Sequence, residues 1–215
     1  MLLLPNDIIE VGVDEVGRGT LFGPVVAAAV ILAPISDANS GEYEKIMDSK
    51  KISEKKREKI ATFIHKEALA VGIGMASAAE IDEINILQAT YLAMHRALDN
   101  IANTAYTNTA YTNTADTNIV YDLIRVDGNK FKPYKDKKYE CVVQGDAKYL
   151  SIAAASIVAK VYRDNFILEN VATNSNLKIY DLQNNKGYGT AKHLAALKTH
   201  GPVEGHRFSF KPISQ

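Results

Sequence analysis

Apolar residues along the chain recur in runs and alternations that predict five β-strands. Residues 24–33 form a continuous apolar run, and residues 69–75 alternate large apolar side chains with smaller residues. The first pattern is typical of a fully buried strand, and the second is typical of a strand with one buried face. The other three strands are predicted at residues 8–13, 119–126 and 140–144.

Apolar positions spaced three and four residues apart predict helices between these strands. The clearest case lies within residues 79–98, where one helix face carries Ile84, Leu87, Tyr91, Met94 and Leu98. Ser53 is a favourable N-cap for a helix at residues 54–68, and Glu54 complements the positive end of its dipole. Two later helices are predicted at residues 149–169 and 190–200.

Strands interspersed with helices predict an α/β fold with a mixed five-stranded sheet flanked by helices. At roughly 150 residues per domain, 215 residues suffice for one domain with a small appended lobe. We expect that domain at residues 1–170, with a helical C-terminal section at 171–215 packed on it. Polar five-residue repeats at 103–118 interrupt the pattern, and we interpret them as a surface insertion because they bury little apolar surface.

Composition and charge are those of an ordinary globular protein. The 25 basic residues balance 25 acidic ones, so any polyanionic partner must be bound by a local patch. Cys141 is the only cysteine, which excludes an intramolecular disulfide and fits a reducing compartment. The apolar run at 25–33 is about half of the ~18 residues that suggest a membrane span. We therefore expect a cytoplasmic monomer that does not bind membranes.

Acidic residues follow three of the apolar strands, at the rim where ligands usually bind to α/β sheets. They are Asp14, Glu15, Asp127 and Asp146. Each alone is explained by turn or capping chemistry, but four together exceed what turns require. Clustered carboxylates repel one another unless a divalent cation neutralises them. Hard oxygen ligands favour Mg²⁺ or Mn²⁺ over zinc, so the sequence predicts such a metal site here.

Asp14 and Glu15 are neighbours in the chain, and successive strand residues point to opposite faces of a sheet. The two carboxylates can therefore reach one ion only if the chain turns at Asp14. Otherwise Glu15 contributes at longer range. Asp14 is accordingly the stronger candidate for a direct metal ligand.

A glycine-framed arginine, Gly17-Arg18-Gly19, follows these two acids directly. Two glycines can turn successive backbone N–H groups toward an anion, and the guanidinium adds a forked donor for phosphate oxygens. An ordinary glycine turn between two strands is the alternative. An acidic metal site beside a phosphate-binding turn favours metal-assisted phosphodiester cleavage.

These residues and several later segments resemble the signature blocks of bacterial ribonuclease HII, the type 2 ribonuclease H family. The resemblance runs in order from about residue 9 to residue 212, apart from the repeats. So many ordered blocks make the match highly specific. The matching segments are residues 11–19, 48–51, 126–129, 145–146, 151–164, 186–190 and 206–210.

The resemblance implies a ribonuclease H-like fold and an endonuclease that cuts the RNA strand of RNA–DNA hybrids. It further implies cleavage at single ribonucleotides in duplex DNA, leaving 3′-hydroxyl and 5′-phosphate ends. The catalytic acids that it implies, used with Mn²⁺ or Mg²⁺, are Asp14, Glu15, Asp127 and Asp146. The residues that it implies for sensing the ribose and its phosphate are Gly17, Arg18, Gly19 and Tyr188.

Cations for binding a duplex are concentrated near the C-terminus. Residues 178–211 carry six Lys and Arg against two acids, and that surplus can track a phosphate backbone or simply be solvated. Ser156, Lys160 and Arg163 share one polar stripe of the predicted helix at 149–169, which suits substrate contact or solvent equally. Lys50 is a further candidate for a phosphate contact.

Two positions depart from the family pattern. Thr20 stands where proline commonly follows Gly-Arg-Gly, which is expected to loosen that turn. Gln144 stands where lysine commonly precedes Gly-Asp, so a positive charge near Asp146 is missing, which is expected to raise its pKa or weaken a phosphate contact.

Two alternatives remain open at this point. One is another metal-dependent nuclease on a similar sheet, such as a DNA resolvase or integrase, although Tyr188 and the glycine-framed arginine argue against it. The other is a non-catalytic protein that binds hybrids or ribonucleotides. Such a protein would be expected to have lost an acid, and all four are present.

Overall fold

In the computed structural model, which describes residues 8–35, 40–102 and 121–214, the chain forms a mixed five-stranded sheet. The strand order is β3-β2-β1-β4-β5, with β1, β4 and β5 parallel and β2 antiparallel to both its neighbours. The predicted α/β class is confirmed. The strands are β1 (Glu10–Val16), β2 (Val25–Ile31), β3 (Ala70–Ala76), β4 (Leu123–Asp127) and β5 (Lys138–Val142).

Helices cover both faces of this sheet. They are α1 (Ser40–Tyr43), α2 (Glu54–Glu67), α3 (Ala78–Ala102), α4 (Leu150–Thr173), α5 (Leu182–Asn185) and α6 (Ala191–His200). Helix α3 packs on one face, and α4 with α2 packs on the other. Every residue of β2 is buried as a result, because both of its faces meet helices. Within the described residues, no helix combines the length and apolar character needed to cross a membrane.

The N-terminal end of α4 crosses directly over β1. A Cβ atom at Gly12 would lie 2.1 Å from the carbonyl carbon of Ser151, so this approach requires glycine. The next turn of α4 is Ala153-Ala154-Ala155, all fully buried. Small residues on both elements thus bring α4 close to the strand that carries the first two acids.

Several element boundaries differ from the prediction. β1 continues regularly through Asp14 and Glu15 to Val16, so the chain does not turn at Asp14. β5 lies two residues earlier than predicted, because Gln144 adopts a left-handed conformation with φ 55° and ends the strand region. The repeats at 103–118 and the first two residues of the strand predicted at 119–126 lie outside the described residues.

The C-terminal section packs against α4 through its own apolar cluster. The stretch between α4 and α6 appears polar in the sequence, yet its Leu177, Tyr180 and Leu182 side chains are buried. They pack with Ile167 of α4 and with Phe22, which follows the glycine turn. This cluster holds the section against the segment that follows β1.

Candidate active site

The two acids of β1 project to opposite faces of the sheet. Asp14 pairs in register with Ala28 and is buried on the α4 side, next to Ser156. Glu15 opens on the α3 side, into a cavity that Thr90 and other α3 residues also line. The alternation expected from the sequence therefore holds, and Asp14 and Glu15 flank the strand instead of sharing one face.

Asp127 connects the acids electrostatically. It ends β4, the parallel neighbour of β1, and its charge raises the pKa of Asp14, Glu15 and Asp146. Its Oδ1 accepts a hydrogen bond from the Gly145 N–H at 2.7 Å. The structure thus brings the four predicted acids into one interacting set with Asp127 at its centre.

Asp14 has the most strongly perturbed carboxyl of this set. Burial raises its pKa well above the usual range, and repulsion from Glu15 and Asp127 raises it further. The Ser156 hydroxyl beside it acts in the opposite direction. Ser156 Oγ lies 3.0 Å from Ser49 Oγ, so a chain of two buried hydroxyls leads to the Asp14 carboxylate.

Asp146 lies in a short 3₁₀ helix, Gly145–Ala147, between β5 and α4. Burial is the main cause that raises its pKa, followed by repulsion from Asp127 and Asp48, whereas Lys50 lowers it. The Asp48 carboxylate meanwhile accepts the Lys50 N–H at 2.9 Å and caps a second 3₁₀ helix, Ser49–Lys51. Lys50 is thus beside the acidic set.

Asp48 is a fifth acid at this site that the sequence reasoning did not single out. Its position depends on how the segment after β2 packs against the start of α4, which no local pattern reveals. The available signal was the match of residues 48–51 to a family block.

The donor set suits a hard divalent cation, since it consists of carboxylates without cysteine or histidine. Within the described ranges, no three acidic, histidine or cysteine side chains are already arranged around a common ion position. The Asp14 Oδ1 atom instead accepts the Glu15 N–H at 2.7 Å, as Asp127 accepts that of Gly145. Binding a cation therefore requires these carboxylates to turn toward one another.

The glycine turn lies directly beyond β1. Gly17 has φ +88°, and a Cβ atom there would lie 2.2 Å from Arg163 Nε, so no other residue fits. Arg18 and Gly19 are exposed, and the Arg18 Nη1 donates to Glu15 Oε1 at 3.2 Å. The turn thus presents its arginine beside the carboxylate of Glu15.

Two fully buried arginines hold this turn from behind. Arg207 donates to the carbonyls of Gly17 and Arg18 at 2.6 and 2.9 Å. Arg163 donates to Thr20 Oγ1 at 2.8 Å and to the Lys186 carbonyl at 2.8 Å. Since Lys186 precedes the Gly187-Tyr188 turn, Arg163 ties that turn to the glycine turn.

These contacts correct two interpretations of the sequence. The predicted polar stripe on α4 is wrong as a surface feature, because Ser156 and Arg163 are both buried. Spacing along a helix identifies a face but not what covers it. Arg207 is also buried, so the exposed surplus of Lys and Arg in residues 178–211 is smaller than the sequence count.

Thr20 does not leave the turn loose. Its side chain is fully buried, and its hydroxyl donates to the Gly17 carbonyl at 3.0 Å while it accepts from Arg163. The threonine therefore restrains the turn through hydrogen bonds.

Tyr188 is 41% exposed and lies beside Lys160, whose Nζ is 5.8 Å from the ring centroid. Lys160 also pairs with Asp164 at 2.7 Å. Behind the tyrosine, His193 Nδ1 contacts the Tyr188 carbonyl at 2.9 Å and His193 Nε2 contacts His206 Nε2 at 3.1 Å. The aromatic ring thus projects outward from a turn fixed by buried groups.

Comparison with known proteins shows the family to which the chain belongs. The family model described as Ribonuclease HII matches residues 11–213. The chain belongs to the ribonuclease HII family. It is 44% identical over 212 residues to a ribonuclease HII of Phocaeicola vulgatus, covering 97% of this chain and 94% of the relative. A ribonuclease HII of Christiangramia forsetii is 45% identical over 212 residues, covering 98% and 95%.

Solved structures share the fold at lower identity. Ribonuclease HII of Archaeoglobus fulgidus, solved with PCNA, has a TM-score of 0.69 and 22% identity over 95% of this chain and 96% of its own. Ribonuclease H2 of Pyrococcus horikoshii has a TM-score of 0.68 and 22% identity, with 95% of each chain covered. A ribonuclease HIII, Bst-RNase HIII solved with Mn²⁺, has a TM-score of 0.67 at 17% identity over 96% of this chain and 68% of its own.

Membership of the family settles the class of reaction. The protein is an endoribonuclease H, a divalent-metal-dependent hydrolase that acts on RNA–DNA hybrids. The predicted ribonuclease H-like fold is likewise confirmed.

Proposed function

We propose that this ribonuclease also cuts duplex DNA at single ribonucleotides, uses Mn²⁺ or Mg²⁺, and leaves 3′-hydroxyl and 5′-phosphate ends. One observation carries the proposal. The interacting acids lie directly beside a glycine turn that is bonded to the Tyr188 turn, with the Leu21 N–H donating to the Gly187 carbonyl at 2.8 Å. Acidic groups for hydrolysis and groups that can sense a ribose therefore share one surface.

In this proposal the divalent cation is held by Asp14, Asp127 and Asp146. Glu15 lies on the opposite face of β1 and contributes at longer range. When bound, the cation supplies Lewis acidity and offsets the charge of the phosphate. Without the cation, Asp14 is held by its hydroxyl chain and by the Glu15 N–H, and its carboxylate turns from these bonds toward the cation. Asp127 is held in the same way by the Gly145 N–H.

The glycine turn and Tyr188 distinguish RNA from DNA. Only the 2′-hydroxyl separates the two sugars at a given site, and the exposed backbone of Arg18 and Gly19 can approach it closely. The Arg18 guanidinium binds the adjacent phosphate, and the exposed Tyr188 ring packs beside the ribose.

The remaining candidates have supporting roles. Lys50 is exposed and close enough to Asp146 to lower its pKa, which suits a contact to the phosphate next to the acids. Lys160 lies beside the Tyr188 ring, and we assign it to contact the substrate strand on which Tyr188 packs. Ser156 is buried, so we assign it to positioning Asp14, not to direct substrate contact.

Cleavage of duplex DNA carrying one ribonucleotide, with Mn²⁺ and with chelator, tests the proposal. The wild type should cut at the ribonucleotide only when the metal is present. Asp127→Asn should abolish cleavage and spare duplex binding, because it removes a charged ligand from the acid set and no phosphate contact. Near-normal turnover of this variant would refute the assignment.

Other outcomes of the same assay identify the alternatives. Cutting of all-DNA duplexes would indicate a resolvase-like or integrase-like nuclease. Binding without cutting would indicate a non-catalytic module. We also propose that the enzyme acts in the cytoplasm as a monomer. Residues 1–170 form its catalytic domain, and residues 171–215 pack on that domain. Sedimentation of the purified chain tests the monomeric state.

A further inference from the structure

A cavity of about 440 Å³ lies on the α3 side of β1 and β4, between Glu15 and Asp127. Its volume is within the range of about 300–1,000 Å³ that ligand sites occupy. Asp14 and Asp146 do not line it. The cavity therefore adjoins the acid set on one side and extends away from it toward α3.

One wall of the cavity is apolar and comes from α3. Leu87, Tyr91 and Met94 follow one another at the three- and four-residue spacing of a single helix face. Tyr91 is half-buried, so its ring packs partly on the core and partly faces the cavity. An aromatic ring beside an aliphatic surface suits the face of a sugar or a base.

A strained kink in α3 sets the direction of this wall. Asn85 adopts φ 68° and ψ 163°, a conformation that costs non-glycine residues about 1–3 kcal/mol. Its Oδ1 accepts the N–H groups of Leu87 and Gln88 at 3.0 and 3.2 Å, which begins a new helical segment there. The kink therefore starts the segment that lines the cavity.

The opposite wall carries two basic side chains, of which one is paired with an acid and the other is not. Arg18 donates to Glu15 at 3.2 Å, so its charge is partly matched. Lys130 follows Asp127 by three residues, is exposed, and makes no ion pair with any described residue. A cation free of acidic partners beside an apolar wall matches a sugar–phosphate unit, which presents one charged and one apolar part.

We propose that this cavity is a substrate subsite, which holds the nucleotide next to the scissile phosphate, with Lys130 on its phosphate and Tyr91 against its sugar or base. The inference rests on the proposed function of the acid set. It adds Lys130 and Tyr91 as substrate-binding residues. Asp127 and Lys130 line the same cavity. A substrate strand with its scissile phosphate at Asp127 would therefore pass Lys130 on one side of that phosphate.

Lys130→Gln and its neighbour Lys132→Gln form a matched pair for testing the phosphate contact. Lys132 is an exposed lysine of the same loop that does not line the cavity. We expect Lys130→Gln to weaken hybrid binding in chelator about fivefold and to lower the slope of log affinity against log salt by about 0.9. Lys132→Gln should change neither quantity. Equal effects from both variants, or none from Lys130→Gln, would overturn the subsite.

Shortened substrates separate local contact from general charge. Two shortened hybrids are compared. In one, the cut strand keeps only the nucleotides 5′ of the scissile position, and in the other it keeps only those 3′ of it. The loss of affinity caused by Lys130→Gln should vanish on the hybrid that leaves the cavity empty and persist on the other. A penalty that persists on both would show that Lys130 acts only through general charge, and the subsite would be wrong.

Tyr91→Phe and Tyr91→Leu test the apolar wall. We expect phenylalanine to retain wild-type KM and leucine to raise it about fivefold at unchanged kcat, since only leucine removes a stacking face. Circular dichroism melts confirm that both variants fold. If both variants match the wild type, the ring does not contact substrate. Near-normal cleavage by Asp127→Asn would instead refute the proposed role of the acids, and hybrid binding measured in chelator would still report on Lys130.

Discussion

Replacing Thr20 by valine removes a single hydroxyl from behind the glycine turn. That hydroxyl donates to the Gly17 carbonyl at 3.0 Å and accepts from Arg163 at 2.8 Å. Valine has nearly the same shape, so the fully buried site stays filled and only the hydroxyl is lost. Neither partner is left without a bond, because Arg207 still donates to Gly17 and Arg163 still donates to the Phe22 carbonyl.

The expected loss follows from these two bonds. A neutral hydrogen bond contributes about 0.5–1.5 kcal/mol, and one from a charged donor about 1.5–3 kcal/mol. Because both partners keep a second bond, we expect the lower ends of these ranges, which total about 2 kcal/mol of unfolding free energy. For a chain of this size that corresponds to a fall in Tm of about 4–8 °C.

Urea unfolding and cleavage assays at 25 °C measure the two consequences separately. Thr20→Ser keeps the hydroxyl and is the control, so it should retain most of the stability. We expect Thr20→Val to lose more activity on duplex DNA with one ribonucleotide than on a long hybrid, because a loosened turn senses a lone ribose less well. Unchanged stability and unchanged substrate preference in Thr20→Val would refute the restraint of the turn by Thr20.

Three further predictions concern other parts of the molecule. Gly12→Ala should cost roughly 3 kcal/mol or more in urea unfolding because its Cβ meets the Ser151 backbone, whereas Gly19→Ala, with nothing within 4 Å, should be nearly neutral. Burial lowers the pKa of His206 to about 4, so its contribution to stability is complete above pH 6.5 and is lost as pH falls from 6.5 toward 4. His206→Gln should therefore flatten the urea-stability profile in that window, and an unchanged profile would contradict the burial effect. Tyr188→Ala should reduce cleavage at single ribonucleotides more than cleavage of long hybrids, and an equal loss on both would indicate simple destabilisation.

The sequence predicts the sheet and its acids because both depend on local pattern. The apolar run of β2 and the alternation in β3 arise directly from burial on the sheet. Strand geometry predicts opposed directions for Asp14 and Glu15 only if the strand stays regular, and the structure shows that it does. The roles that we propose for these acids rest on the ordered family blocks.

Long-range packing determines what the sequence could not predict. Arg163 shares a helix face with polar neighbours, yet that face meets the glycine turn and not solvent. His193 and His206 meet only because the C-terminal section folds back on itself. Asp48 lies near Asp146, and Lys130 lines the cavity beside Glu15 and Asp127; both belong to loops whose paths depend on packing that no periodicity records.

A Mn²⁺-loaded crystal, measured near the manganese absorption edge, tests the central claim most directly. We predict an anomalous peak bound by Asp14, Asp127 and Asp146, with the carboxylates turned toward it, and no such peak in Asp127→Asn. A peak held by other residues, or no peak at these acids while the same protein cuts hybrids with Mn²⁺, would contradict the assignment.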